Sequence, residues 1–251
     1  RRYNFAVFNP HPVTISRIIQ IRTSTPFVKV QANGYLACQA RHSYRHLNNY
    51  EWDKMVHQYD AFIPNQGSQF IIDMVVEFEP FEVITIMAGY NSKTHCDLVS
   101  TEFYNVNPLH SFFEGFTGKD DFGFLTTFPD QESGFDENSE ILLAGHKTQA
   151  MFNTQGTLLK VKDHVIGQFQ WIDIMSRQIK IKNGRNLKAS ETLVRVERGP
   201  LKSTLSVYSN VGITTYEVAH VSGLFENHYL KIKDIAFFRP KTIYNYVRGC
   251  L

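Results

Sequence analysis

Residues 140–208 alternate short β-rich runs with turn signals, and that rhythm leaves little room for helix. Glu140-Ile-Leu-Leu-Ala144 reads as a strand. An apolar strand through Ala150, Met151 and Phe152 meets the turn Asn153-Thr-Gln-Gly156. A second strand follows with Leu158, Leu159 and Val161. A glycine-closed turn between two β-rich runs is a hairpin signal, because glycine supplies the backbone angles such turns require. An aromatic strand comes next around Phe169, Trp171 and Ile172. A basic loop then leads into the run 193–208, which carries Val194, Val196, Leu201, Leu205 and Val207.

The flanking chain reads the same way. Tyr3 to Phe8 is aromatic and β-rich, and Asn9-Pro-His-Pro12 ends it, since proline lacks the ladder donor. Residues 14–22 place Ile15, Ile19 and Ile21 on one face, and Phe27-Val-Lys-Val30 alternates up to the turn signal Asn33-Gly34. Pairing these three runs with one another into a small antiparallel sheet is the simplest account. Residues 69–77 form a long apolar run that must be covered, or it would be an aggregation hazard, which places it in a core. Residues 81–88 alternate beyond a break at Glu79-Pro80. The two runs form either a hairpin or a pair of strands meeting at a sandwich corner. Residues 214–221 and 228–237 alternate on either side of Gly223. The expected fold is all-β: a small antiparallel β domain over 1–90, a Phe-rich connecting segment over 91–138, and a β-sandwich region, complete or incomplete, over 139–251. The 20 Phe and 12 Tyr fit this, because aromatics favour strands and bury large areas.

Several classes find no support. A formal net charge of +2 in 251 residues leaves no electrostatic footprint for nucleic acid. The basic loop 180–185 reads as a solvated turn. No apolar run reaches the roughly 18 residues that a membrane-spanning helix needs. Cys38, Cys96 and Cys250 allow one disulfide but no disulfide framework. Asn-x-Ser/Thr acceptors are absent, and no signal peptide is visible. The chain begins at Arg1, as a processed or partial product would.

Candidate chemistry is sparse. His42 and His46 would share one face of a helix, and Glu51 or His57 could complete a metal site; the competing reading is a surface loop or short helix. Asp73, Glu77, Glu79 and Glu82 lie close in sequence, as an acid–base pair would, but their places on strands and at a turn read as solvent-facing charges. The acidic residues Asp120, Asp121, Asp130, Glu132, Asp136 and Glu137 lack the ligand spacing of a calcium loop. His146 and His164 read as loop or edge residues. No phosphate loop, nucleophile elbow or zinc motif occurs, so no catalytic, cofactor-binding or metal-ligating residue is assigned. Phe112, Phe113, Phe116, Phe122, Phe124, Phe128 and Phe135 sit in a polar stretch. Those rings either clamp an excursion onto a sheet or dock another domain or chain.

The order of these segments resembles the C-terminal β region of glycoside hydrolase family 38, the α-mannosidases. In that family a small β domain opens with a strand ending in Asn-Pro, here Val7-Phe8-Asn9-Pro10. It closes with a strand after a short turn, here Glu79-Pro-Phe-Glu-Val-Ile-Thr-Ile86. A linker leads into a sandwich whose first hairpin carries a Gly-x-Leu turn, here Gly156-Thr-Leu158. An aromatic strand follows, here Phe169-Gln-Trp171, and then a Gly-Pro-Leu strand, here Gly199-Pro-Leu201. The resemblance covers about 230 residues in outline. It implies a non-catalytic subunit or fragment of an enzyme that hydrolyses α-mannosides, packed on a catalytic α/β chain or domain and helping to wall the sugar pocket. Zinc, the nucleophile and the acid would all belong to that partner. The compartment implied is lysosomal or secretory. Two other classes stand beside it: a free-standing sandwich that binds carbohydrate or protein, and an assembly protein that associates through its Phe-rich stretch.

Overall fold

The computed structural model describes residues 3–31, 35–44, 69–88, 96–105, 118–131, 139–165, 168–173, 193–209, 212–221 and 230–236. The fold over these residues is all-β. The first strands are β1 (Tyr3–Phe8), β2 (Ile15–Thr23), β3 (Val28–Gln31), β4 (Tyr35–His42), β5 (Phe70–Phe78) and β6 (Val83–Ala88). Next come the short strands β7 (Asp97–Leu98), β8 (Ser100–Tyr104), β9 (Gly118–Lys119) and β10 (Leu125–Thr127). The last group is β11 (Glu140–Ala144), β12 (Thr148–Asn153), β13 (Leu158–Val165), β14 (Gln168–Asp173), β15 (Leu193–Arg198), β16 (Lys202–Ser209), β17 (Gly212–Ala219) and β18 (Lys231–Ala236). One 3-10 turn covers Pro129–Gln131.

These strands form four sheets, ordered β1-β6-β3, β2-β5-β4-β7, β18-β17-β16-β15-β8-β10-β9 and β11-β12-β13-β14. The first two sheets face each other across Val28, Ile72, Met74, Ile84 and Ile86, all fully enclosed. The last two do the same across Leu143, Ala150, Phe152, Val194, Val196 and Leu205. Phe152 meets Tyr216 edge-on at 4.8 Å between ring centroids, the offset geometry aromatic quadrupoles favour. The second and third sheets then meet back to back, with Val75 on one and Leu201 on the other in a small apolar contact. Strand β5 is therefore covered on both faces, and only Glu77 within it is exposed.

Two expectations about pairing divide here. The strands of the first 36 residues do not pair with one another: β1 and β3 both flank β6, and β2 pairs with β5. Alternation fixes which face of a strand is apolar but not which strand lies beside it. By contrast, β5 and β6 lie in different sheets and meet at a sandwich corner, one of the two open readings. The hairpin at residues 153–156 forms as expected, with β12 antiparallel to β13. Gly156 has φ +79, and a Cβ there would lie 2.3 Å from Val207 Cγ2, so no side chain fits the turn.

Stretch 91–138 contributes strands to two sheets. β7 joins β4, and β8 inserts between β15 and β10. Phe124 and Phe128 are buried, with Phe124 in the first apolar core and Phe128 stacked on Phe103 at 5.6 Å. At these two rings the stretch is clamped onto the sheets. Phe112, Phe113, Phe116 and Phe135 lie outside the described residues, as does the basic loop 180–185.

Cys38 and Cys96 are joined in a disulfide, 58 residues apart in sequence, linking β4 to the segment that enters β7. No helix of the described residues is long and apolar enough to cross a membrane.

Candidate functional site

Alternation in β15 sends Val194 and Val196 into the apolar core, so Arg195 and Glu197 must point the other way. That other face is no solvent face. It meets the second sheet, where Gln39 and Arg41 of β4 and Asp73 of β5 point back. The joint between the two sandwiches is thus built from charges.

Asp73 lies at its centre, with a fully buried side chain. Lys202 Nζ is 2.9 Å from Asp73 Oδ1, and Gln20 Nε2 donates to the same oxygen at 2.8 Å. Arg41 Nε and Gln39 Nε2 donate to Oδ2 at 3.3 and 3.2 Å. Arg41 also reaches Glu197 Oε2 at 3.2 Å, which accepts from the Thr204 hydroxyl at 2.9 Å. Arg195 lies 4.3 Å over the Tyr44 ring and 5.2 Å from the Tyr208 ring, with Nη2 3.7 Å from Glu197. Lys202 extends the chain of charges to Glu217, which Lys231 and Lys233 approach from the exposed side.

The electrostatics of this layer hold every carboxylate ionised. Burial alone would push Asp73 up, but Lys202 and Arg41 outweigh it and hold the group below the ordinary carboxylate range. Burial likewise opposes charge on Glu197, where Arg195 and Arg41 win, and on Glu217, where Lys202, Lys233 and Lys231 win. Burial opposes charge on Arg41 too, and Glu197 and Asp73 more than offset it, so its pKa is raised. Groups held firmly in one protonation state, and shut away from solvent, act as struts rather than as proton shuttles. Among the described residues Arg195 Nε, Arg195 Nη1 and Glu197 Oε1 have no hydrogen-bond partner.

A second cluster lies at the end of β4. His42 Nε2 donates to Asp120 Oδ2 at 2.9 Å, and the His42 ring lies 4.4 Å from Phe124 and 5.3 Å from Phe70. Asp120 Oδ1 accepts from the backbone N–H groups of Phe122 and Phe124, so one carboxylate both shapes its loop and ties it to the sheet. An open cleft of about 210 Å³ is lined here by His42, Gln69, Phe70, Asp120, Asp121 and Phe122. Burial pushes the His42 pKa down, against the pull of Asp120. A third contact joins Ser203 Oγ and His220 Nε2 at 2.8 Å, with Ser203 buried beneath the surface.

These placements settle several expectations. Asp73 is not solvent-facing: it is the most enclosed carboxylate of the ionic layer, because a second sheet covers the face that alternation leaves polar. Glu77 and Glu79 are exposed, and Glu82 is half-buried with its carboxylate on the Glu79 N–H. His42 ends a strand rather than sitting on a helix, while His46, Glu51 and His57 lie outside the described residues. His146 is exposed in the β11–β12 turn, and His164 lies in β13. Asp120 and Asp121 line the cleft, Asp130 Oδ2 accepts from the Asn105 N–H at 2.6 Å, and Glu132, Asp136 and Glu137 lie outside the described residues. No group of three or more His, Cys, Asp or Glu among the described residues could hold a metal ion. Arg41, Arg195, Glu197 and Lys202 escaped the sequence reading. Their one signal was a lone charge in an apolar run, as at Asp73, matched by alternating charges on Arg195 and Glu197.

No protein-family model matches the chain, and no curated protein matches it.

Proposed function

We propose that this chain is the non-catalytic β-rich part of a family 38 α-mannosidase, packing on the catalytic part and helping to wall the sugar pocket. The observation that carries the reading is a meeting of two motifs. The Asn-Pro and Glu-Pro segments of the resemblance lie 70 residues apart, yet they are bound to each other. Asn9 is buried, its Nδ2 donates to Glu79 O at 2.9 Å and to Val13 O at 3.0 Å, and its backbone N–H donates to Glu82 O at 2.9 Å. Segments that read as separate landmarks thus form one corner of the small β domain. The Gly-Pro-Leu segment plays a comparable part, since Leu201 N–H is held by Gln39 across the joint between the sandwiches. The struts at that joint suit a rigid scaffold, and the Cys38–Cys96 disulfide suits an oxidising compartment. In this reading zinc and the acid–base residues belong to the catalytic part.

The test is native purification from the source, with mass spectrometry of what co-elutes. A stoichiometric partner carrying zinc and α-mannosidase activity is the expected result. A homogeneous lone chain, stable and inert toward α-mannosides, sinks the reading. Glycan-array binding by that lone chain would then favour a free-standing carbohydrate-binding module.

A further inference from the structure

The corner that Asn9 ties together carries an apolar surface out of keeping with its position. Phe8, Val13, Phe81 and Val83 are 53%, 58%, 59% and 60% exposed. Phe8 and Val83 are cross-strand partners at the end of the β1–β6 ladder, so their side chains share its outer face. The Phe81 N–H reaches His11 O at 3.4 Å, which brings the two loops together. Pro10, Pro12 and Pro80 are exposed on the same loops.

This corner is also rigid. Three prolines fix their own φ angles. The buried Asn9 amide spans both loops, and its Oδ1 accepts from the His11 N–H at 3.0 Å. Phe81 has φ +58, a left-handed conformation that strains a bulky side chain. The turn thus holds a large ring outward in a conformation that a glycine would adopt freely. A left-handed backbone under a large side chain that is mostly exposed is a mark of a functional surface.

We propose that this corner docks a folded protein that offers an apolar pocket rimmed by Lys and Arg, with Phe81 as the anchoring side chain. The charge around it selects that partner. Glu77 and Glu79 are exposed and Glu82 half-buried, against Arg17 and His11 on the same corner. Ser16 and Thr14 hydroxyls hold the Glu77 and Glu79 carboxylates in place. A second copy of this chain would bring acidic rim against acidic rim in a two-fold contact. An anionic membrane surface would repel the same rim. A basic-rimmed pocket meets both the ring and the charges. Identifying this partner with the catalytic part of the enzyme rests on the proposed function; the docking surface itself does not.

Two experiments test it. In the first, p-benzoylphenylalanine replaces Phe81 in the chain expressed in its source cells, and the crosslinked peptide is sequenced after irradiation. A crosslink to a Lys- or Arg-flanked apolar segment of a zinc-containing catalytic chain supports the surface and the proposed function together. The same crosslink to a different folded protein supports the surface and counts against the α-mannosidase reading. A crosslink to a second copy of this chain, to lipid, or to nothing overturns the inference. In the second, Phe81→Gly is compared with the native chain for binding to the crosslinked partner. Relief of the left-handed strain leaves thermal stability equal or higher, while affinity falls roughly thirty-fold. Glu79→Lys weakens binding and flattens its salt dependence. Unchanged affinity in Phe81→Gly would overturn the proposal whatever the stability did.

Discussion

Gln39 Oε1 accepts the backbone N–H of Leu201 at 2.9 Å, across 162 residues of sequence. It also accepts from the Lys202 N–H at 3.2 Å, and Gln39 Nε2 donates back to Lys202 O at 3.3 Å. A side-chain amide here does what a neighbouring strand would do, satisfying backbone groups where β16 begins. The arrangement requires a bare backbone opposite. A Cβ on Gly199 would come within 2.3 Å of Gln39 Oε1 and 2.8 Å of Val99 Cγ2.

Gly199→Ala therefore displaces the Gln39 amide and strips two buried N–H groups of an acceptor. A loss of about 1–3 kcal/mol in unfolding free energy is expected, measured by urea denaturation. Gln39→Leu should produce a loss of the same order. If Gly199→Ala adds little in the Gln39→Leu background, the two act through the same contact. A full additive loss would show that the glycine matters for another reason.

Lys202→Met tests the ionic layer. It leaves Asp73 buried with Arg41 as its remaining cation, and breaking one side of a buried ion pair costs roughly 3–5 kcal/mol. Asp73→Asn combined with Lys202→Met removes the uncompensated charge and should recover part of that loss. A Lys202→Met chain as stable as the native one would mean that Lys202 is not needed to balance Asp73.

Much of this was legible beforehand, and the gaps have physical causes. The longer strands other than β4 and the hairpin at Gly156 follow from local signals: period-2 alternation and a glycine at a positive-φ turn. Strand β4 and the short strands β7 to β10 carry no such alternation and were not expected. The pairing of β1 and β3 with β6 does not follow from local signals either, because register and partner are set by contacts far apart in sequence. The ionic layer was misread for a related reason. Alternating polar residues look the same whether water or a second sheet faces them. Arg195 and Glu197 resemble solvent-facing charges until the sheet carrying Asp73 and Arg41 is laid over them. The exposed Phe81 raised no signal either, since its left-handed backbone is a property of the turn and not of the residue type.

Acid should unfold the chain in two stages. Burial holds the His42 pKa down, and burial with Arg198 does the same for His220. A histidine whose folded pKa is depressed contributes stability above its unfolded pKa of about 6.5 and loses it as pH falls toward the folded value. At His42 the cause is visible: a second proton would sit on Nδ1, which is buried with no partner among the described residues. Asp73, Glu197 and Glu217 have depressed pKa values as well, so their contribution is complete above about pH 4 and is lost below it. Urea midpoints measured from pH 8 to 3 should fall first below about 6.5 and again, more steeply, below about 4. His42→Gln keeps a donor for Asp120 and should reduce only the upper step. A flat profile from pH 8 to 5 would rule out the histidine stage.

Reduction of the Cys38–Cys96 disulfide isolates the contribution of covalent closure. The bond closes a loop spanning a 58-residue separation, and both sulfur atoms sit in the first apolar core. Chain-entropy reasoning gives about 4 kcal/mol for a loop of that size. The bond links β4, whose Gln39 and Arg41 reach the third sheet, to β7 at the edge of the second. Losing it loosens the β4–β7 edge of the second sheet, which presents Gln39 and Arg41 to the ionic layer. Cys38→Ala combined with Cys96→Ala should lower the urea midpoint to match that of the native chain in dithiothreitol. It should also weaken the additional loss caused by Lys202→Met, since a looser joint lets water reach Asp73. An undiminished Lys202→Met effect in the disulfide-free chain would show that the ionic layer holds its geometry without the covalent bond.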